Sequence, residues 1–134
     1  MRIRLERVHH MPKELKPGVL YVSEEFGTAA HLCACGCGAK IRTPLGPTEW
    51  SISETQDGPS LTPSIGNWQQ ACRSHYYISR GEVIWAEQWT PVQIRAGRQS
   101  EQRRREAFYE ERNKQCAPTW RRLWVWLVSL FNRR

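Results

Sequence analysis

His31-Leu-Cys33-Ala-Cys35-Gly-Cys37-Gly38 packs three cysteines into one knot, and a fourth follows in Cys72-Arg-Ser-His75. Thiolates this dense serve either metal ligation or disulfides. Cys33–Cys35 and Cys35–Cys37 bridges would be badly strained at such spacing. Glycine and alanine between the cysteines let the backbone turn and aim successive sulfurs at one point. A soft thiolate cluster with a distant Cys-x-x-His partner favours zinc. Three ligand sets remain open: Cys33, Cys35, Cys37 and Cys72; or Cys35, Cys37, Cys72 and His75; or three of these plus water. The first two are closed structural sites and the third is a catalytic one. Cys116 lies far away in a basic segment and reads as a bystander.

Around the knot the pattern is that of short strands. Ile3–Val8 alternates imperfectly and reads as an edge strand. Val19-Leu20-Tyr21-Val22-Ser23 follows the breaker Pro17-Gly18 and is β-branched and aromatic. Glu24–Gly27 turns the chain toward the knot, and Lys40–Leu45 leaves it as a strand. Trp50–Ser53 alternates with period two. Asp57-Gly-Pro59 is a turn, and Ser60–Trp68 reads as an ordered but irregular loop. His75–Ser79 and Glu82–Ala86 flank Arg80-Gly81, a hairpin signal. The expected fold is a small β-rich, zinc-stabilised α+β domain over residues 1–89, with a basic helical appendage over 90–134.

That appendage starts at Thr90-Pro91, with threonine as N-cap and proline at the first helical position. It runs to about Gln115, weakened at Gly97, and Pro118 opens a second helical stretch over Trp120–Phe131. The net charge of +7 resides in this tail. Residues 1–94 hold nine Lys/Arg against nine Asp/Glu, whereas residues 95–134 hold eleven against four. Glutamates interleave with Arg103-Arg104-Arg105, so that run reads as a solvated helix face, with nucleic acid the less favoured partner. Leu123–Phe131 is too short to span a bilayer. Docking on its own domain or a partner chain is the favoured reading of the Trp-rich segment Trp120–Phe131, and a membrane surface is the alternative. Met1-Arg-Ile-Arg-Leu-Glu-Arg-Val lacks the apolar run of a secretory signal, so a cytoplasmic location is expected.

Between the two cysteine segments lies Asp57-Gly-Pro-Ser-Leu-Thr-Pro-Ser64-Ile-Gly-Asn67-Trp68. Ser64 is a candidate nucleophile in a loop fixed by Pro63. Gly66 and Asn67 are candidates to lie near an oxyanion, and Asp57 is a candidate orienting group. His75 and His31 both border the cysteine knot and are the candidate bases. No Gly-x-Ser-x-Gly elbow is present.

The landmarks Cys-Ala-Cys-Gly-Cys-Gly, Pro-Ser-Ile-Gly-Asn and Cys-Arg-Ser-His-Tyr occur in that order. Over about residues 15–95 the chain resembles a small bacterial zinc-binding family associated with gene clusters for ubiquitin-like conjugation. The resemblance implies a role in such a pathway, with a ubiquitin-like protein or its conjugates as partner. A processing or deconjugating peptidase fits that setting.

Two functions from different classes follow. One is a hydrolase in which Ser64 attacks, His75 or His31 is the base, and zinc holds the fold. A metal-bound water replaces the serine in its variant. The other is a non-catalytic zinc-ribbon-like adaptor that binds a ubiquitin-like protein, a pathway enzyme or nucleic acid.

Overall fold

The computed structural model describes residues 1–116 and 119–132. Among the described residues, eight strands and two helices follow one another as β1 (Arg4–Arg7), β2 (Val19–Ser23), β3 (Thr28–Leu32), β4 (Lys40–Pro44), β5 (Ser51–Thr55), β6 (Gly58–Gly66), β7 (His75–Ser79), β8 (Glu82–Trp85), α1 (Pro91–Gln115) and α2 (Thr119–Phe131). The strands form two four-stranded sheets in sequence order, β1-β2-β3-β4 and β5-β6-β7-β8. Among the named strands β1 and β2 pair in parallel and the other neighbours are antiparallel. The β-rich class expected from the sequence is what the structure shows.

Both sheets contribute to one apolar core. Leu20, Val22, Ala29 and Ile41 come from the first sheet and Leu61, Ile65, Tyr76 and Ile78 from the second. Leu20, Leu61 and Tyr76 are completely excluded from solvent. Each such side chain contributes roughly 1.5–3 kcal/mol of transfer free energy. Cys33 and Ala34 belong to the same core, so the cysteine knot is rooted in it.

Two parts of the sequence reading are corrected. Thr28–Leu32 is a strand, where only a turn into the knot was expected. It pairs with both β2 and β4, and Ala29 and Ala30 are buried between them. Small residues carry little strand propensity, so tertiary packing overrode the local signal. Ser60–Trp68 is mostly not an irregular loop, because Gly58–Gly66 is a strand held between β5 and β7. Its alternation is present at Leu61 and Ile65, but the prolines masked it. Pro63 is tolerated because it sits in a bulge, where a missing N–H breaks no ladder.

That bulge lies between the pairs Leu61↔Ile78 and Ile65↔Tyr76. Three residues, Thr62, Pro63 and Ser64, stand opposite the single residue Tyr77. The hairpin at Arg80-Gly81 is as expected, with positive φ at both turn residues, 48° and 76°. Gly81 also lies where Ile3 donates to its carbonyl at 2.6 Å, which ties the N-terminal strand to the hairpin.

Two compact units cover Met1–Ile94 and Arg95–Arg134. The first turn of α1 belongs to the first unit and carries the buried Ile94. Thr90 and Gln93 cap that helix reciprocally. Thr90 N–H donates to Gln93 Oε1 at 2.8 Å, and Gln93 N–H donates to Thr90 Oγ1 at 3.3 Å. The helix passes through Gly97 without interruption. The expected helix start at Pro118 lies outside the described residues.

Candidate active site and metal centre

The bulge in β6 re-aims Ser64 across the outer face of the second sheet. Gly66 pairs with His75, so Ser64 is the diagonal neighbour of His75 on that face. Ser64 Oγ stands 3.0 Å from His75 Nε2. The other ring nitrogen, Nδ1, is 2.6 Å from the carbonyl oxygen of Glu87. A carbonyl can only accept, so Nδ1 carries the proton and Nε2 presents its lone pair. The Ser64 hydroxyl therefore donates to Nε2. A hydroxyl, an imidazole nitrogen whose lone pair faces it and a carbonyl that holds the imidazole stand in line, the geometry that a serine nucleophile and its base require.

Aromatic rings hold the imidazole. Trp68 packs on His75 at 4.9 Å between ring centroids, Trp89 at 5.3 Å and Tyr77 at 6.2 Å, and Trp68 stacks on Trp89. His75 is 4 % exposed as a result. Gly66 makes room for this cage: a Cβ there would stand 2.5 Å from Trp68 Nε1.

The remaining candidates fall elsewhere. His31 lies on β3, 1 % exposed, with Nε2 2.7 Å from the Tyr76 hydroxyl. Burial lowers its pKa to about 4, which keeps it neutral, and Nδ1 has no hydrogen-bond partner. It is a core histidine whose partner is Tyr76, while Ser64 meets His75. Asn67 does not point at Ser64. Its Nδ2 donates to Ser74 Oγ at 2.9 Å and approaches Cys33 Sγ at 3.5 Å, and its N–H donates to the Ser74 carbonyl at 2.8 Å. All its donors thus face the cysteine cluster, because the turn after β6 swings the side chain inward. Asp57 sits in the turn before β6, on the order of 20 Å along the strand from Ser64. There its carbonyl accepts from Arg2. The orienting group is the Glu87 carbonyl, which no side-chain pattern reveals. Ser74 and the rings of Trp68, Trp89 and Tyr77 were also missed. The period-two alternation that puts His75 and Tyr77 on one face was the available signal for Tyr77.

The sulfurs of Cys33, Cys35, Cys37 and Cys72 all lie within 4.8 Å of one another. Cys33 and Cys35 sulfurs are 3.4 Å apart, Cys33 and Cys72 sulfurs 3.8 Å. A tetrahedral zinc with Zn–S of about 2.3 Å places its sulfurs about 3.8 Å apart, so the cluster fits a metal ion. All five cysteines are free, and Cys116 is exposed in the second unit. His75 is not among the cluster, since both its ring nitrogens are engaged. Ser74 Oγ lies 3.0 Å from Cys33 Sγ and 3.4 Å from Cys72 Sγ. Such contacts are the outer shell that orients metal ligands. Hydrogen bonds from the Ser74 hydroxyl and backbone lower the Cys72 thiol pKa to about 6. The Cys35 thiol is pushed up to about 12, first by Cys37 and then by Cys33. Cys72 thus forms a thiolate readily while Cys35 resists, and a cation among the four sulfurs would favour the thiolate of both.

Ser64, His75 and all four clustered cysteines fall within residues 7–86, which match the model of a family described as the bacterial ubiquitination-like system serine protease, BubE. No curated protein and no solved structure matches the chain. The matched segment covers more than half of the chain, and the chain therefore belongs to the BubE family of bacterial ubiquitination-like system serine proteases.

Proposed function

We propose that the protein is a serine peptidase that cleaves after the C-terminal tail of a ubiquitin-like protein, processing a precursor or releasing a conjugate. The observation that carries this reading is the 3.0 Å contact between Ser64 Oγ and a His75 Nε2 left basic by the Glu87 carbonyl. Ser64 Oγ attacks the scissile carbonyl carbon as His75 Nε2 takes its proton. His75 then returns that proton to the leaving amine as the acyl-enzyme forms. Water, deprotonated by the same nitrogen, cleaves the ester. The orienting group is a neutral carbonyl, so it fixes tautomer and ring direction with less stabilisation of the imidazolium than a carboxylate would give.

The strand edge beside Ser64 suits an extended substrate. β5 pairs with β6 only as far as Thr62, and Thr62, Pro63 and Gly66 are exposed beside a half-buried Ser64. An extended peptide can continue the line of β5 along this stretch by strand addition. A flexible tail can adopt that conformation and a folded segment cannot.

Zinc fits the four thiolates of Cys33, Cys35, Cys37 and Cys72 as a closed structural ion. Bound there, it supplies a cross-link between the knot and the start of β7. Four sulfur ligands leave no position for a reacting water. The adaptor reading gives an oriented Ser-His pair nothing to do.

The test is to incubate the full chain with the ubiquitin-like protein of its own system, carrying a C-terminal extension, and to read product mass. Labelling by a fluorophosphonate probe reports Ser64 without any substrate. Ser64→Ala abolishes both while melting temperature and metal content persist, and His75→Ala abolishes both with metal content kept and Tm lowered by the cavity it leaves in the aromatic cage. Cleavage at the wild-type rate by Ser64→Ala refutes the assignment.

A further inference from the structure

We infer that α2 is an anionic-membrane anchor: Leu123–Phe131 seats in the headgroup–acyl boundary of a bilayer containing acidic lipid. Eight of the nine residues Leu123–Phe131 are apolar. The ninth, Ser129, turns its hydroxyl onto the Trp126 carbonyl at 2.7 Å. Trp124, Val125, Trp126 and Phe131 are 59–86 % exposed, and Leu127, Val128 and Leu130 are exposed too. The described residues of the unit Arg95–Arg134 contain no buried side chain, so no core within it covers these residues.

α2 is amphipathic: Trp120, Leu123, Trp124, Leu127 and Phe131 fall on one helical face, Val125, Trp126, Val128 and Leu130 widen that stripe, and Ser129 and Asn132 lie mostly outside it, the pattern of a helix at a membrane interface. Its 13 residues span about 20 Å, against about 30 Å of hydrocarbon. No helix among the described residues is long and apolar enough to cross a membrane. Arg121-Arg122 precede the apolar run and Arg133-Arg134 follow it in the sequence. Charge at both ends keeps both ends at headgroup level, so the helix lies along the surface. Tryptophan is the residue suited to that depth.

Charge selects the lipid. From Arg112 to Arg134 the sequence has six Lys/Arg and no Asp or Glu. The four glutamates of the tail all lie earlier, in α1 between Glu101 and Glu111. Lys114 pairs with Glu110 at 3.9 Å, but Arg121, Arg122, Arg133 and Arg134 bracket the apolar run Leu123–Phe131 in a stretch without a carboxylate, a charge pattern that complements an acidic headgroup layer.

The test is flotation of the full chain on vesicles of phosphatidylcholine and on vesicles of phosphatidylcholine with phosphatidylglycerol. The protein is expected to rise with the acidic vesicles and to release as salt shortens the Debye length from about 10 Å at 0.1 M to about 3 Å at 1 M. The double variant Trp124→Glu, Leu127→Glu should stay at the bottom, with fluorophosphonate labelling of Ser64 unchanged. The variant Arg121→Gln, Arg122→Gln retains the apolar helix and should lose about fivefold in affinity per arginine for acidic vesicles alone. Three outcomes overturn the proposal. The wild-type chain stays at the bottom with both vesicles. Or it floats equally on both, without salt dependence. Or it is a dimer in light scattering that Trp124→Glu, Leu127→Glu dissolves, with no flotation. Labelling of Ser64 is read separately, so failure here leaves the peptidase assignment standing, and the reverse holds too.

Discussion

Gly66→Ala tests whether the aromatic cage sets His75, the proposed base. A Cβ at residue 66 would meet Trp68 at 2.5 Å from Nε1, 2.7 Å from Cε2 and 3.0 Å from Cζ2. Ordinary carbon contacts need about 3.5 Å, so the indole must move by about 1 Å. That ring packs on His75 at 4.9 Å and stacks on Trp89, so the movement passes to the imidazole. A misplacement of about 1 Å at a reacting group costs on the order of 100-fold in rate. Overpacking itself costs about 1–3 kcal/mol. For a unit of this size each kcal/mol lowers Tm by about 4–8 °C. Gly66→Ala should therefore slow fluorophosphonate labelling by about 10- to 100-fold and lower Tm by at least about 4 °C, with metal content unchanged. The pair Gly66→Ala, Trp68→Phe removes the indole atoms that clash and should recover most of the labelling rate. A double-mutant cycle then gives a coupling well above the single effects' error. Gly66→Ala labelling at the wild-type rate, with Tm lowered, refutes the claim that Trp68 positions His75.

Two further outcomes follow from the metal centre. The purified chain should carry about one zinc, and Cys72→Ser or strong chelation should remove it and lower Tm, because structural metal binding is coupled to folding; metal loss with unchanged melting would contradict this. Ser74→Ala removes the hydroxyl that touches Cys33, Cys72 and Asn67, leaving buried partners unpaired. It should weaken metal retention by about 10- to 100-fold, read by competition with a chromogenic chelator, whereas the conservative Ser74→Thr should retain most of the affinity.

The sequence by itself determined the composition-level features: a β-rich body, a metal-fitting set of four cysteines, a hairpin at Arg80-Gly81 and a basic tail. Each of these is a local signal. Cys33, Cys35 and Cys37 are near in sequence and Cys72 opens a Cys-x-x-His segment, which marks a metal-fitting cluster, but the choice among the ligand sets waited for the structure to group the four sulfurs. The hairpin needs only two residues that accept positive φ. The site was partly legible for the same reason: Ser64 and His75 are residue types that can react, and each stood in a distinctive segment.

Tertiary structure alone decided which histidine meets Ser64. His31 and His75 border the same knot and look equivalent in the sequence. Pairing with β2 and β4 carries His31 into the core against Tyr76, where burial keeps it neutral. Pairing of β7 with the bulged β6 sets His75 diagonal to Ser64. Asn67, expected near an oxyanion, has its side chain turned to Ser74 and the cysteine cluster by a turn that only the folded backbone specifies. The Glu87 carbonyl is a main-chain group that every residue possesses, so no sequence pattern can single it out. It becomes an orienting group because the chain after β8 passes within 2.6 Å of His75. Residue chemistry near in sequence is legible from the sequence, whereas register, bulges and main-chain partners arise only when distant strands pair.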